Sequence, residues 1–142
     1  MPESAQVASR PAGRADVELR LPADSAYAAV LRTTTAGLAA RLDFTIDDIE
    51  DLRIAIGEAN AMVLEHAAAG GDLVCTFYLD PGQLVVAVTV STLTPPEPDL
   101  DSFAWQVLST LASTAHIEAS DDELTISMTM TSSAHARSGD ND

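Results

Sequence analysis

The sequence contains no lysine. Its seven basic residues are all arginines, and they stand against 22 aspartate and glutamate residues, which gives a formal net charge of −15. Such a field repels phosphate backbones, so direct binding to DNA or RNA is not expected. It would attract a basic protein partner and speed its approach. High acidity also keeps proteins soluble, and composition alone favours neither explanation over the other.

Cysteine and long apolar runs are equally scarce. The single Cys75 excludes an internal disulfide and a zinc cluster built on cysteines, and its setting, LVCTFYL, is typical of a core strand. No run of about 18 apolar residues is present, so we expect no membrane-spanning helix. The polar N-terminus, MPESAQVASRPAGRAD, lacks the apolar centre of a signal peptide. We therefore expect a soluble, cytoplasmic protein.

The hydrophobic pattern predicts one domain that contains both helices and strands. Hydrophobic residues make up 46% of the 142 residues, enough for one core. Residues 1–15 and 132–142 are expected to be disordered tails around a domain of residues 16–131. The periodicity predicts, in order, a strand at 16–21, helices at about 24–42 and 45–67, a hairpin of strands at 73–79 and 84–90, a helix at 102–114, and strands at 116–119 and 124–131. This order indicates an α+β fold with helices on one face of a mixed, mostly antiparallel sheet.

The segment 51–67, DLRIAIGEANAMVLEHA, carries the most specific motif. It resembles the N-box helix of the GHKL ATPases, in the branch of the bacterial anti-sigma factor serine kinases. The resemblance implies the Bergerat fold over residues 16–131. It also implies that Glu58 stands where a glutamate activates the reacting hydroxyl or water, and that Met62 stands where an asparagine holds Mg²⁺. A thioether is a poor ligand for this oxygen-seeking cation, so Glu58 is interpreted as a vestigial catalytic residue. Without the resemblance, Glu58 is simply a solvated helix glutamate.

The other nucleotide boxes of the family are also altered. Where the family has an Asp-x-Gly-x-Gly motif at the adenine, Ser91 replaces the aspartate and Leu93 replaces the first glycine. In the lid, whose backbone amides meet the phosphates, Ser102 and Ala104 stand at glycine positions. Side chains at these positions restrict the close backbone approach that glycine allows. The resemblance therefore predicts a degenerate ATP pocket formed by Met62 and these four residues.

The distribution of charged residues also argues against nucleotide binding. No arginine occurs between Arg53 and Arg137, and Glu123 lies near the expected phosphate side. A triphosphate would therefore meet an acidic pocket that lacks its metal ligand. The histidines have no partners at metal-ligand spacing, so no metal site is predicted. We expect no bound cofactor, with ATP and Mg²⁺ required only if the protein is an active kinase.

The segment SFAWQVLSTLAS, residues 102–113, resembles the matching stretch of actinobacterial anti-sigma-F type regulators, which also have degenerate nucleotide boxes. The resemblance implies a homodimeric protein that sequesters an alternative sigma factor and is released by an anti-anti-sigma protein of the STAS type. One alternative is an active serine/threonine kinase that phosphorylates this antagonist. Another is a scaffold of the same fold with unrelated partners.

Partner-binding residues are expected in the first helix and the segment after it, because the resemblance implies that this region contacts sigma factor and dimer mate. Tyr27, Arg32 and Arg41 lie there, and both residue types are common interface anchors. Arg32 is the candidate for a contact with an acidic partner group. Two readings remain open for Phe103 and Trp105, which are either core residues or part of an exposed binding surface.

Overall fold

A computed structural model describes residues 13–134. These residues form five strands and three α-helices in the predicted order, with a short 3₁₀ turn at Ser25–Tyr27 before the first helix. The elements are β1 (Val17–Pro22), α1 (Ala28–Arg41), α2 (Ile46–Leu64), β2 (Asp72–Asp80), β3 (Gln83–Ser91), α3 (Phe103–Leu111), β4 (Thr114–Ala119) and β5 (Glu123–Thr131).

The five strands form one sheet in the order β1–β2–β3–β5–β4, and all four pairings are antiparallel. The predicted hairpin is confirmed: Asp80 pairs with Gln83, which leaves Pro81 and Gly82 as the turn. Gly82 has a φ of 73°, a conformation that glycine adopts without strain. Helices on this antiparallel sheet confirm the α+β class.

Side chains cap the two helices that carry the family boxes. Thr45 Oγ1 accepts a hydrogen bond from Asp48 N at 3.1 Å, at the start of α2. Ser102 Oγ accepts one from Trp105 N, also at 3.1 Å, at the start of α3. Each bond satisfies a backbone N–H that has no partner within its own helix. Threonine is a common residue type at this position, so the residue type of Thr45 itself favours the cap.

Two helices end earlier than the pattern predicts. Helix α2 ends at Leu64 rather than near position 67, because the chain turns so that Ala68 N donates to Ser91 O at 2.8 Å. Helix α3 ends at Leu111 rather than at position 114, because Ser113 N donates to Thr129 O and the chain joins β5 as strand β4. In both cases a bond to the sheet replaces a local helical one.

The helices pack together on one face of the sheet. Helix α2 lies between α1 and α3 and contacts β3 and β5. It buries one stripe, and the central strands bury alternate residues against it; among the fully buried side chains are Leu52, Ile56, Val63, Val86, Val88, Leu124, Ile126 and Met128. Cys75 is also fully buried, as its setting predicts. Removal of this apolar surface from water is the main stabilising term of the domain.

The described chain continues in fixed contacts beyond position 131. Ser132 N donates to Gly82 O at 2.8 Å, and Ser133 N and Oγ donate to Asp48 Oδ2 at 2.8 and 2.9 Å. Ser132 and Ser133 are therefore held against the domain, whereas the sequence placed them in a loose tail. Residues 1–12 and 135–142 of the predicted tails lie outside the described residues. No helix between residues 13 and 134 is long and apolar enough to cross a membrane.

Candidate functional site

Glu58 and Met62 lie one turn apart on α2 but in different surroundings. Met62 is only 5% exposed and belongs to the core, whereas Glu58 is half-buried at the helix surface. Asn60 is buried as well, about 200° around the helix from Glu58. It therefore does not stand beside Glu58 as a substitute for the missing metal ligand.

Glu58 opens into a surface groove between α1 and α2. The groove has a volume of about 360 Å³, and we call it the α1–α2 groove; its lining residues are Arg32, Glu50, Arg53, Ile54, Gly57 and Glu58. A methyl group at Gly57 would lie 3.7 Å from Arg32 Cδ, so the Arg32 side chain lies close to α2. Within residues 13–134, neither the Arg32 nor the Arg53 side chain forms an ion pair or a hydrogen bond. The groove thus places two guanidinium groups beside two carboxylates, those of Glu50 and Glu58.

At the end of β3 the Ser91 side chain lies on the exposed face of the sheet. Ser91 is exposed and pairs with Glu123 of β5, and Leu93 is 84% exposed. Thr92, between them, is 6% exposed, and its Oγ1 is buried without a hydrogen-bond partner. Its N–H donates to Asp122 O at 2.8 Å. Thr92 is therefore the polar side chain that points inward here, and the alternation Val88–Val90–Thr92 is the signal that could have identified it.

The two altered lid residues lie at the start of helix α3, where Ser102 is the N-cap and Ala104 is in the first turn. The hydroxyl of Ser102 occupies the amide of Trp105, one of the free N–H groups that a phosphate would need. Ala104 and Trp105 are partly buried and pack against the core, whereas Phe103 is 78% exposed. The two readings left open by the sequence therefore separate: Trp105 contributes to packing and Phe103 to the surface.

A second cavity, of about 310 Å³, lies where the C-terminal end of α2 faces the residues after β3. Its lining residues are Glu65, His66, Ala67, Ala68, Leu93, Thr94, Pro95, Pro96 and Glu97. Two carboxylates and no lysine or arginine occur among them. Such a lining disfavours a polyphosphate, because it offers negative charge and no side-chain cation to compensate the phosphates.

The three candidate partner residues do not share one surface. Tyr27 is 39% exposed immediately before α1, and Arg32 lies in the α1–α2 groove. Arg41, nine residues beyond Arg32, lies on the opposite side of the helix and about 13 Å further along its axis. It lines a separate cavity of about 650 Å³ with Asp16, Asp43 and Asp80. The structure thus brings Arg32 together with Glu58 and leaves Arg41 apart.

Two described groups, Cys75 and Asp48, have pKa values shifted from their ordinary values. Burial raises the pKa of the Cys75 thiol well above its ordinary value, so this cysteine stays neutral in the core. Burial also raises the pKa of Asp48, but hydrogen bonds from Ser133 and Thr45 outweigh it and hold that pKa below its ordinary value. Among the described residues, no group of three or more His, Cys, Asp or Glu side chains is arranged to hold a metal ion.

Comparisons with known proteins connect this geometry to one group. No family model matches the chain. Over 74 residues it is 40% identical to a protein named serine-protein kinase RsbW from Halalkalibacterium halodurans, and 39% identical to proteins of that name from Bacillus thuringiensis and Bacillus cereus. Each match covers 51% of this chain and 46% of the relative, so the similarity spans about half the length of the curated relatives.

A solved structure supports the fold. The crystal structure of the RsbU and RsbW domains of Rv1364c from Mycobacterium tuberculosis matches 82% of this chain and 32% of its own, with a TM-score of 0.63 and 21% identity. At that identity the likeness concerns the fold alone. Sequence similarity and fold together confirm that the chain resembles the RsbW serine-protein kinases, the anti-sigma factor kinase branch of the GHKL family.

Proposed function

We propose that this protein is a cytoplasmic anti-sigma regulatory factor whose nucleotide site no longer works. It binds an alternative sigma factor, hides the surface that the sigma factor presents to RNA polymerase, and releases it when a STAS-type antagonist competes. It acts by stoichiometric binding, as a homodimer. The observation that carries the loss of catalysis is Met62, a buried thioether at the position where the family holds Mg²⁺.

Three further features support the loss of ATP binding. Leu93 stands at a glycine position, so the close backbone approach at the adenine is restricted. Ser102 occupies the N-terminal amide of α3 that would otherwise face phosphate. The neighbouring cavity contains Glu65 and Glu97 and no lysine or arginine. Each change weakens the protein's contact with a different part of the nucleotide, so reversal of one change would not restore binding.

The α1–α2 groove is the surface that we assign to partner binding. Arg32 and Arg53 are half-buried and form no ion pair among residues 13–134, so a partner carboxylate would meet donors without breaking an internal bond. Guanidinium–carboxylate pairs are among the stronger polar contacts at interfaces. Tyr27 is exposed just before the same helix but does not line the groove, so we assign it no contact on this surface.

One observation favours an active kinase as the second candidate. Glu58 is retained and lines an open groove, where it could receive a proton from a serine of the antagonist. Transfer would also require Mg²⁺-ATP to be held with its γ-phosphate in line with that serine. The kinase proposal therefore depends on nucleotide binding, which the first proposal excludes.

Two measurements separate these proposals. The tagged protein is first recovered from its own lysate and its partners identified by mass spectrometry. A sigma factor in about equal amount supports sequestration, and partners of another kind only would overturn it. Arg32→Ala should weaken recovery of the sigma factor, whereas Arg41→Ala, on the opposite side of α1, is the matched control. Equal recovery of the sigma factor with both variants would show that the α1–α2 groove is not part of the interface.

Calorimetry with Mg²⁺-ATP tests the nucleotide site directly. We expect no binding and no transfer of labelled phosphate to a co-purified STAS protein. A micromolar Kd together with transfer that depends on Glu58 would establish the kinase. Light scattering on the purified protein checks the proposed homodimer, and the mass of a single chain would contradict it.

A further inference from the structure

The residues between β3 and α3 expose large apolar side chains. We call residues 92–103 the lid segment. Leu93 is 84% exposed, Leu100 is 56% exposed and Phe103 is 78% exposed. Isolated exposed apolar residues are ordinary, but three within 12 consecutive residues resemble the anchors of a binding surface. We propose that the lid segment is a docking surface for a basic polypeptide that carries apolar side chains.

The lid segment is held in place at both ends. At its start, Thr92 N donates to Asp122 O at 2.8 Å. Near its end, Asp99 accepts from Asp101 N through Oδ1 at 2.9 Å and from Ser102 N through its carbonyl at 3.2 Å. Pro95, Pro96 and Pro98 restrict the chain between these points. Leu100 and Phe103 are therefore presented from a pre-ordered frame, and binding loses little chain entropy.

Charge identifies the partner as basic. Exposed carboxylates lie within the lid segment and in the neighbouring residues 65–68 and 120–123, and none of these residues is a lysine or arginine; the carboxylates are those of Glu65, Glu97, Asp99, Asp101, Asp121, Asp122 and Glu123. The contacts of Ala68 with Ser91 and of Thr92 with Asp122 bring these elements to one end of the sheet. An acidic rim around apolar anchors favours lysine or arginine around apolar side chains on the partner.

The cavity of about 310 Å³ beside Leu93 gives the partner a place to insert. Ala67, Ala68, Pro95 and Pro96 contribute apolar wall, and Glu65 and Glu97 contribute carboxylates. One aliphatic side chain of a partner, followed by a basic one, matches this lining. This surface differs in chemistry from the α1–α2 groove, which offers guanidinium groups, and the inference stands whether or not the sigma-factor proposal is correct.

A peptide pair tests the surface in the full chain. The probe is a fluorescein-labelled amphipathic helix of leucine and lysine, and its partner probe carries glutamate in place of lysine. Fluorescence anisotropy gives the Kd of each for the wild type and for the combined variant Leu93→Ser, Leu100→Ser, Phe103→Ser. The matched control is Ile46→Ser, because Ile46 is as exposed as Phe103, at 78%, and lies beside Asp47 and Asp48 at the start of α2.

We expect the lysine peptide to bind the wild type, the glutamate peptide not to bind, and the combined variant to bind about tenfold more weakly or worse. Ile46→Ser should stay within about twofold of the wild type. The single tryptophan, Trp105, follows the lid segment in α3, so its emission should shift on binding in the wild type and not in the combined variant.

Three outcomes would overturn the inference. Equal binding by the combined variant and the wild type would mean that the peptide is attracted by the overall negative charge of the protein and not by the lid segment. Equal weakening of peptide binding by Ile46→Ser would mean that any exposed apolar residue contributes to binding and that the lid segment is not a specific surface. If light scattering shows that the combined variant has half the mass of the wild type, the lid segment is covered by a second copy of the chain instead. Thermal melting of all variants confirms that each remains folded.

Discussion

Replacement of Met62 by asparagine reverses the most informative substitution in the chain and separates packing from nucleotide chemistry. Met62 is 5% exposed in the core, one turn after Glu58. The change restores the oxygen ligand that the family resemblance implies at this position. We expect the variant to remain unable to bind Mg²⁺-ATP, because Leu93, Ser102 and the carboxylates of the lid end are unchanged.

The expected loss of stability follows from burial. Full burial of a methionine side chain contributes roughly 2 kcal/mol. An asparagine amide in the same place loses that contribution and adds a polar group with incomplete hydrogen bonding, at about 1–3 kcal/mol. The free energy of unfolding should therefore fall by about 3–5 kcal/mol. That is a large part of the roughly 5–15 kcal/mol typical of a domain, so the circular dichroism spectrum without urea must first show that the variant is folded.

Urea unfolding followed by circular dichroism measures this loss. With a slope of about 2 kcal/mol per molar urea, the midpoint should move down by about 1.5–2.5 M. Met62→Leu is the matched control, since it keeps volume and hydrophobicity and should lose less than about 1.5 kcal/mol. Calorimetry with Mg²⁺-ATP is run on the same three proteins.

Two results would refute this reasoning. If Met62→Asn were as stable as the wild type, Met62 would not be a packed core residue. If the variant bound Mg²⁺-ATP with a micromolar Kd, one missing ligand would have been the whole defect, and the altered adenine and lid positions would be tolerated. A variant that is destabilised and does not bind agrees with both parts of the prediction.

Three further predictions concern stability and reactivity. The pKa of Asp48 lies below its ordinary 3.8 in the folded protein, so the stability that its carboxylate contributes is complete above pH 3.8 and is lost as pH falls through the folded pKa. Asp48→Asn should therefore lower the unfolding free energy by about 1 kcal/mol at pH 7 and leave it unchanged near pH 2. Equal losses at both pH values would contradict this. Gly82→Ala should destabilise the β2–β3 turn by about 1 kcal/mol because φ is 73°, whereas Gly37→Ala, in α1 with open space around it, should stabilise by about 0.5–1 kcal/mol, with urea unfolding as the check. The Cys75 thiol should react with a chromogenic disulfide reagent only after denaturation, and fast reaction of the native protein would show that the core opens there.

Much of the local structure could be predicted because its causes are local. Thr45 caps α2, and Pro81 and Gly82 turn between β2 and β3, as their residue types indicate. The N-box pattern around Glu58 was equally readable, since it depends on spacing within one helix. The ends of α2 and α3 were placed too late, because they are set by bonds to β3 and β5 rather than by the helix sequence.

The candidate site was only partly predictable for the same reason. The family resemblance identified Ser91 as a pocket residue, but its side chain is exposed where it pairs with Glu123, and Thr92 is the inward polar residue. The meeting of Arg32 with Glu58 depends on how α1 packs on α2, and no spacing in the chain encodes it. Arg41 was expected in the same partner-binding region as Arg32, but the structure places it at a separate cavity with Asp16, Asp43 and Asp80.

By itself, the sequence determined the α+β class, the hydrophobic stripes, the main caps and turns, the acidity, and the resemblance that makes Glu58 and Met62 meaningful. These properties depend on neighbours within a few residues or on composition. Tertiary structure alone decided the strand order β1–β2–β3–β5–β4, the α1–α2 groove, the exposure of Phe103 beside the partly buried Trp105, and the fastening of Ser133 to Asp48. Each depends on contacts between elements that are distant along the chain, and only the packed fold determines which of them meet.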